Sequence, residues 1–242
     1  MIFIIDGSAD GLFTALYNAY LIKKFPSAVS NGEVQLNFYE DCIDVLTDKD
    51  KADKVFKKLE KILPNSELDR IFIALKHDDT AKFTVVFDYL KLIVDSGKNL
   101  STKFNDNRVL RFDNMVRQVT YESHRFKGFL RFSKLDNGVY YAKYEPDNDI
   151  TSLILPHFVK RLNNQPFIIH DTKHNVISAH ANGKTKTVYE KITPLCVNDE
   201  FGALFKKYYE TVFIKERKNE KCMYNFMPRR YHKNMPERNE LL

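Results

Sequence analysis

The chain has few of the residues from which metal and phosphate sites are commonly built. Its three cysteines, Cys42, Cys196 and Cys222, are far apart and form no CxxC pair, which excludes zinc ribbons and locally spaced iron–sulfur clusters. Only eight glycines are present, and neither GxGxxG nor GxxxxGKS/T occurs, so the common glycine-rich phosphate loops are excluded too. The odd number of cysteines indicates reduced thiols. From these patterns we expect no bound cofactor and no resident metal.

Long apolar runs are missing as well. The N-terminal run Ile2–Ile5 is too short for the apolar core of a signal peptide, and no basic residue precedes it. No window approaches the roughly 20 apolar residues that a membrane-spanning helix requires. Strings typical of serine hydrolases, zinc proteases and nucleobase deaminases are absent. The sequence thus predicts a cytoplasmic protein that has no membrane association and carries no common enzyme motif.

Tryptophan is absent, but tyrosine and phenylalanine are plentiful. Apolar residues make up 43% of the 242 positions and aromatic residues 13%, which is enough to bury a core in one large domain or two small ones. The formal charge of +6 at pH 7 favours anionic partners without demanding them. A histone-like electrostatic role would need far more charge.

The hydrophobic pattern changes its period near residue 129. Before this point, apolar residues recur at helical spacing in several segments. Between residues 129 and 190 they alternate at period two in short runs, which is typical of strands. Asn137-Gly138 and Asn182-Gly183 are strong hairpin signals within this stretch. The stretch therefore predicts the element order ββαβββ.

The predicted fold class is α+β, with a central antiparallel sheet built from two hairpins, a helix packed on it and several helices around it. The packed helix is predicted to have Asp149 as its N-cap and to end near Leu162. A last helix is predicted from Glu200 to about Lys218. We place a boundary between an N-terminal α/β region, residues 1–82, and a second region, residues 83–242, although the two can form one globule.

The segment from Phe213 to Glu237 interleaves cations with aromatic rings. It holds seven Lys and Arg side chains against three Glu, together with Tyr224, Phe226 and Tyr231. Cations neutralise phosphates and release counterions, whereas rings offer faces for unpaired bases. The segment therefore predicts a nucleic-acid-binding surface. The alternative is a solvated helix followed by a proline-bounded segment that docks on the domain.

Two groups of polar residues lie on predicted helices. In the first, Glu122 and His124 are candidates for an acid–base pair, and Arg125, Lys127 and Arg131 follow them. The alternative for this group is an ion pair between residues three apart, with an exposed histidine.

In the second group, His157 and Arg161 lie four residues apart on one helical face, where they can hold a phosphate. The alternative is that this pair caps the ends of neighbouring strands.

A third group ends a predicted strand. It contains His170 and Asp171, with His174 and His180 nearby in the sequence. A turn formed by Asp171 is the default interpretation, and a divalent metal held across the hairpin is the alternative. Helix ends and strand ends of one sheet commonly open on the same edge, so we expect one shared pocket. Its predicted members are Glu122, His124, Arg125, His157, Arg161 and Asp171, with Glu122 orienting His124 and with His157 and Asp171 transferring protons if chemistry occurs.

Residues 122–132, 140–171 and 205–237 resemble a bacterial family of proteins assigned to DNA metabolism and DNA repair, and residues 3–20 resemble its N-terminus. The conserved domain of that family has no established function. Its members are typically paired with a radical-SAM protein, and some are fused to a uracil-DNA-glycosylase-like domain. Neither a GQDPY-like, an HPSP-like nor a CxxxCxxC string occurs here, so the resemblance implies that such chemistry belongs to a partner.

Three hypotheses follow. The favoured one is a DNA repair or modification accessory protein that binds nucleic acid and serves a radical-SAM partner. The second is an enzyme acting on DNA or a nucleotide through Glu122, His124, His157 and Asp171. The third is an adaptor that binds protein only. In the favoured hypothesis the nucleic acid is bound by Arg125, Lys127, Arg131, Arg161, Arg229, Arg230 and Tyr231.

Overall fold

A computed structural model describes residues 1–32, 41–103, 105–194, 207, 211 and 220–235 of the chain. The chain divides into two compact units, Met1–Thr120 and Tyr121–Leu242. The boundary predicted after residue 82 divides the sequence into domains, which the division into compact units does not test. It stays a prediction. The α+β class is confirmed, since helices and two separate sheets are both present.

The first unit contains a small parallel sheet. Strand β1 (Ile2–Ile4) lies between β2 (Ala28–Ser30) and β3 (Cys42–Asp44), and both pairs are parallel. Helix α1 (Ala9–Ile22) connects β1 to β2, as parallel pairing requires a crossover. Its N-cap is Ser8, whose hydroxyl oxygen accepts a hydrogen bond of 2.9 Å from the backbone N–H three residues later.

Four further helices begin in this unit. They are α2 (Lys49–Glu60), α3 (Asn65–Ala74), α4 (Lys82–Ser96) and α5 (Asn107–Phe129). The helices predicted in these regions are confirmed, because apolar residues at helical spacing form the buried core of the unit. Fully buried members of that core include Leu12, Leu59, Ile71, Phe87 and Leu90.

A five-stranded sheet forms the centre of the second unit. Its strands are β4 (Ser133–Lys134), β5 (Tyr140–Tyr144), β6 (Phe167–Asp171), β7 (Val176–Ala181) and β8 (Lys184–Tyr189), in that spatial order. The β4–β5, β6–β7 and β7–β8 pairs are antiparallel. The predicted element order ββαβββ is confirmed, although the first strand begins at Ser133 and not at Phe129, where α5 still continues.

The sheet is mixed rather than wholly antiparallel as predicted, because β5 and β6 run parallel. Helix α6 (Thr151–Leu162) links these two strands, and a helical crossover returns the chain to the end of the sheet from which the first strand started. The helix packs on the sheet as predicted, with Ile154 and Phe158 buried against it. Its N-cap is Ile150, which makes no side-chain capping bond, so the prediction of Asp149 as N-cap is wrong.

After the sheet, the structure describes helix α7 (Glu220–Phe226) and a 3-10 helix (Arg229–Asn234) that contacts β5. The helix predicted from Glu200 to Lys218 lies outside the described residues, apart from Lys207 and Thr211. Among the helices that the structure describes, none has the length and apolar character needed to cross a membrane.

Candidate functional site

Glu122 is a buried carboxylate whose two oxygens are fully hydrogen-bonded. Its side chain lies on α5 and is 5% exposed. Oε1 accepts from the backbone N–H of Asp147 at 2.6 Å and from the hydroxyl of Tyr231 at 2.7 Å. Oε2 accepts from the backbone N–H and the side-chain amide of Asn148, at 2.9 and 2.6 Å. Four donors satisfy a buried charge at this position, so Glu122 fastens the loop after β5 to α5.

Tyr231 joins this network from the C-terminal segment. Its hydroxyl lies 2.8 Å from Oδ2 of Asp147, and its ring packs edge-on against Phe126 with centroids 4.8 Å apart. Burial raises the pKa of Tyr231, and the hydrogen bonds to Glu122 and Asp147 add to this effect. Tyr231 is 4% exposed, so the structure places its ring as an anchor for the 3-10 helix and not on the surface where nucleic acid would bind.

Arg230 is bound to the same network. Its Nη2 forms an ion pair of 2.5 Å with Oδ2 of Asp147, and its guanidinium carbon lies 4.9 Å from the centroid of the Tyr231 ring. The side chain remains 58% exposed, but its charge already faces a carboxylate. Arg230 is therefore a weaker phosphate ligand than the sequence indicates.

Glu122 does not orient His124 as predicted. All four of the hydrogen bonds to its carboxylate come from Asp147, Asn148 and Tyr231. His124 is exposed, because residues two apart on a helix point in nearly opposite directions. The proposed acid–base pair is thus not formed.

Asp171 organises the turn after β6. Oδ1 accepts from the backbone N–H groups of Lys173 and His174, both at 3.0 Å, and Oδ2 lies 2.8 Å from Nδ1 of His174. Burial opposes protonation of His174, but the hydrogen bond and charge of Asp171 outweigh it and raise the pKa of His174. The carboxylate is fully buried, which matches the turn interpretation of Asp171 and leaves it unsuited to proton transfer with a ligand.

The three histidines near Asp171 do not converge. His170 points to the opposite face of β6 from Asp171, and its Nδ1 lies 2.8 Å from the hydroxyl of Tyr141. Burial lowers the pKa of His170. His180 stacks on Phe167, four residues along β6 from Asp171, or about 13 Å at ~3.3 Å per residue. In the described ranges, no three His, Cys, Asp or Glu side chains are placed to hold a metal.

His157 lies beside two cations. Its Nε2 is shielded from solvent and has no hydrogen-bond partner among the described residues. Burial lowers the pKa of His157, and the charges of Arg161 and Lys127 lower it further. Arg161 is exposed and Lys127 is half-buried. The helical face predicted from the spacing of His157 and Arg161 is thus formed, and Lys127 of α5 extends it.

Glu122 and Asp171 have partners of their own, so the six predicted pocket members do not form one hydrogen-bonded group.

Arg131 has a local role. Its Nη1 donates to the carbonyl of Gly128 at 2.7 Å and to that of Leu130 at 3.4 Å, at the end of α5. A guanidinium at this position satisfies carbonyls that the helix leaves without partners. The guanidinium thus serves as a helix cap, and phosphate binding by Arg131 stays a prediction.

Arg125 stacks on a neighbouring ring. Its guanidinium carbon lies 4.6 Å from the centroid of Tyr121, one helical turn earlier on α5. Nη2 donates to the backbone carbonyl of Asn225 on α7 at 2.9 Å. Tyr121 itself is 54% exposed. Tyr121 was not predicted as a site residue, although the spacing of four residues between it and Arg125 was a usable signal.

A second stack follows α7. The guanidinium carbon of Arg229 lies 4.4 Å from the centroid of Tyr224, and the Tyr224 ring also stacks on His232, with centroids 6.0 Å apart. Arg229 is exposed, whereas His232 is buried and its Nε2 lies 3.1 Å from the carbonyl oxygen of Met227.

Phe226, next in sequence to the Asn225 that Arg125 binds, is 61% exposed. The two stacks are therefore neighbours. We name them together the basic aromatic surface: Tyr121, Arg125, Tyr224, Phe226 and Arg229.

Comparison with known proteins gives a family but no characterised relative. Residues 80–237 match the model of DUF4130, a domain of unknown function. No curated protein and no solved structure matches the chain. The matched range is more than half of the 242 residues and contains the Glu122 network and the basic aromatic surface. The chain therefore belongs to the DUF4130 family.

Proposed function

We propose that this protein binds nucleic acid through its second unit and acts as an accessory in DNA repair or DNA modification. The observation that supports this most directly is the basic aromatic surface, where the guanidinium groups of Arg125 and Arg229 each cover a tyrosine ring. Side by side, cations and rings match the alternation of phosphates and bases along a nucleic-acid strand.

Arg125 and Arg229 have no carboxylate partner among the described residues. Their contacts there are with rings and with a backbone carbonyl. The nearby carboxylate of Glu122 is buried, and that of Asp147 is paired with Arg230. A phosphate approaching Arg125 or Arg229 would meet a cation that is not paired with a described carboxylate.

Lys127, His157 and Arg161 offer a further phosphate contact in the same unit. Burial and the two nearby cations favour the neutral form of His157, which can donate one hydrogen bond to an anion. An anion bound there would offset the charges of Arg161 and Lys127 that lower this pKa. Binding at this contact should therefore take up protons and strengthen as the pH falls toward the pKa of His157.

The proposed partner comes from the sequence resemblance, and the proposed location from the lack of a long apolar run in the sequence. We propose a cytoplasmic protein that serves a radical-SAM enzyme, which would supply the covalent chemistry on DNA. Co-purification of the two proteins from a strain that expresses both at native levels tests this pairing. Recovery of either protein without the other at low ionic strength would contradict it.

Nucleic-acid binding is tested by fluorescence anisotropy with labelled oligonucleotides at several salt concentrations. We expect the affinity of the wild type to fall steeply with salt, with a slope of about 0.7–0.9 for each phosphate neutralised. The double variant Arg125→Ala/Arg229→Ala should bind several-fold more weakly and lower the slope by about one for each lost contact.

The matched control is Lys184→Ala/Lys186→Ala, which removes the same number of charges from the exposed strand β8. A loss confined to the arginine variant would support the proposal. Equal losses of affinity in both variants would show that net charge alone is responsible for the binding. Absence of binding by the wild type at low salt would refute the proposal.

A further inference from the structure

We infer, on the basis of the proposed function, that the basic aromatic surface selects single-stranded nucleic acid and stacks unpaired bases on the rings of Tyr121 and Phe226. These two rings are 54% and 61% exposed. Large aromatic side chains with this exposure leave apolar faces in water, which costs free energy unless a partner covers them.

The cations beside the rings indicate what that partner is. An apolar protein surface would not complement Arg125 and Arg229, which lie against tyrosine rings within the same patch. A nucleic-acid strand carries both features, because an anionic phosphate alternates with a flat base. Guanidinium planes stack on bases as well as pairing with phosphates, so the arginines serve either group.

Whether this surface binds a single strand or a duplex depends on which faces of a base are accessible. In a duplex, each base is stacked between its neighbours and presents only its edges in the grooves. Rings such as Tyr121 and Phe226 cannot reach the base faces without opening the duplex, which costs a few kcal/mol per step. A single strand presents those faces freely, so the rings contribute to affinity only for unpaired bases.

A specific contact brings together the two segments that carry these rings. Nη2 of Arg125 donates to the carbonyl of Asn225 at 2.9 Å, and Asn225 directly precedes Phe226. Arg125 also covers part of Tyr121, with the guanidinium carbon 4.6 Å from the ring centroid. A base stacked on Tyr121 would thus lie next to the segment that carries Phe226, as neighbouring nucleotides of one strand require.

The segment is fixed before any ligand binds. Tyr231 hydrogen-bonds Glu122 at 2.7 Å, and Nε2 of His232 lies 3.1 Å from the carbonyl oxygen of Met227. Both side chains are buried. A preformed platform loses little conformational entropy on binding, which favours affinity for the extended strand. Because base–ring stacking is available to every base, we expect little sequence preference.

The test compares three fluorescent probes with the same number of phosphates: a mixed-sequence single strand, the corresponding duplex, and an abasic strand that has the backbone but no bases. For each ring that stacks on a base, the wild type should bind the single strand about tenfold more tightly than the abasic strand. The variant Tyr121→Leu/Phe226→Leu should bring single-strand binding close to the abasic level while leaving abasic binding unchanged.

Tyr121→Phe provides the matched control, since it keeps the ring and should retain single-strand binding. Both substituted side chains are exposed, and circular dichroism should confirm that the variants fold. Equal affinity for the single and abasic strands, or tighter binding of the duplex, would overturn the stacking inference and leave the proposed function standing. Failure of all three probes to bind would overturn both.

Discussion

Replacing Tyr231 with Phe removes one oxygen atom from the buried contact between the 3-10 helix and α5. The ring itself stays, so its packing against Phe126, with centroids 4.8 Å apart, is preserved. What is lost is a hydroxyl that lies 2.7 Å from Oε1 of Glu122 and 2.8 Å from Oδ2 of Asp147. The substitution therefore isolates a polar contact from the apolar packing around it.

The expected loss of stability follows from the number of protons that the hydroxyl of Tyr231 can donate. A phenol has one, so it can donate a full hydrogen bond to only one carboxylate at a time, although both are within reach. A hydrogen bond to a charged group contributes about 1.5–3 kcal/mol. After the substitution Glu122 keeps three donors and Asp147 keeps its ion pair with Arg230, so neither charge is left without a partner. We expect the free energy of unfolding to fall by about 2 kcal/mol, near the middle of that range.

The assay is urea unfolding followed by circular dichroism, with hydrogen exchange measured on peptides from residues 220–235. Exchange is needed because two compact units need not unfold in a single transition. Tyr121→Phe is the control, since it removes the hydroxyl of a tyrosine that is 54% exposed and should change stability by less than about 0.5 kcal/mol. If Tyr231→Phe behaves like this control, the network does not hold the segment and the reasoning is wrong.

Three other substitutions test separate features. The hydroxyl of Tyr89 is fully buried and has no hydrogen-bond partner in the described part of the chain, so Tyr89→Phe should raise the free energy of unfolding by about 1 kcal/mol, whereas a loss would reveal a hidden partner. A Cβ at Gly11 would displace the carboxylate of Asp6 and break the two hydrogen bonds that it accepts from Ser8, so Gly11→Ala should destabilise the first unit by about 1–2 kcal/mol in the same assay. Asp171→Asn should lower the pKa of His174 in an NMR titration. A raised histidine pKa gives a stabilisation that is fully present below the unfolded pKa of about 6.5 and is lost as the pH rises through the folded pKa. The stability gap between Asp171→Asn and wild type should therefore be constant in acid and shrink as the pH rises above about 6.5; a gap that does not change with pH would contradict the pairing.

Local features of the fold were predictable from the sequence. Helices α2, α4 and α5 follow apolar residues at helical spacing, and the hairpin between β7 and β8 follows Asn182-Gly183. Both turn residues have positive φ, 51° and 71°, as a two-residue hairpin turn requires and as Asn and Gly tolerate. Such features depend on neighbours within a few residues, so the sequence pattern carries them. The same holds for Asp171, whose carboxylate bonds to N–H groups two and three residues later.

The direction of β6 was not predictable in this way. Hairpin signals on both sides of α6 favoured an antiparallel sheet, but the pairing of β5 with β6 depends on where the crossover helix returns the chain. No short-range pattern records that return, because it is decided by packing of Ile154 and Phe158 on the sheet.

The roles of the charged residues were decided by tertiary structure. Arg125, Arg131, Arg229 and Arg230 look alike as cations in the sequence, yet one caps a helix, one faces a carboxylate and two stack on tyrosines. Tyr231 was expected at the surface, but its hydroxyl reaches Glu122 across 109 positions of the chain. Composition and spacing report which charges are present. Which of them remain available to a ligand depends on the burial and the partners that distant segments provide when they dock.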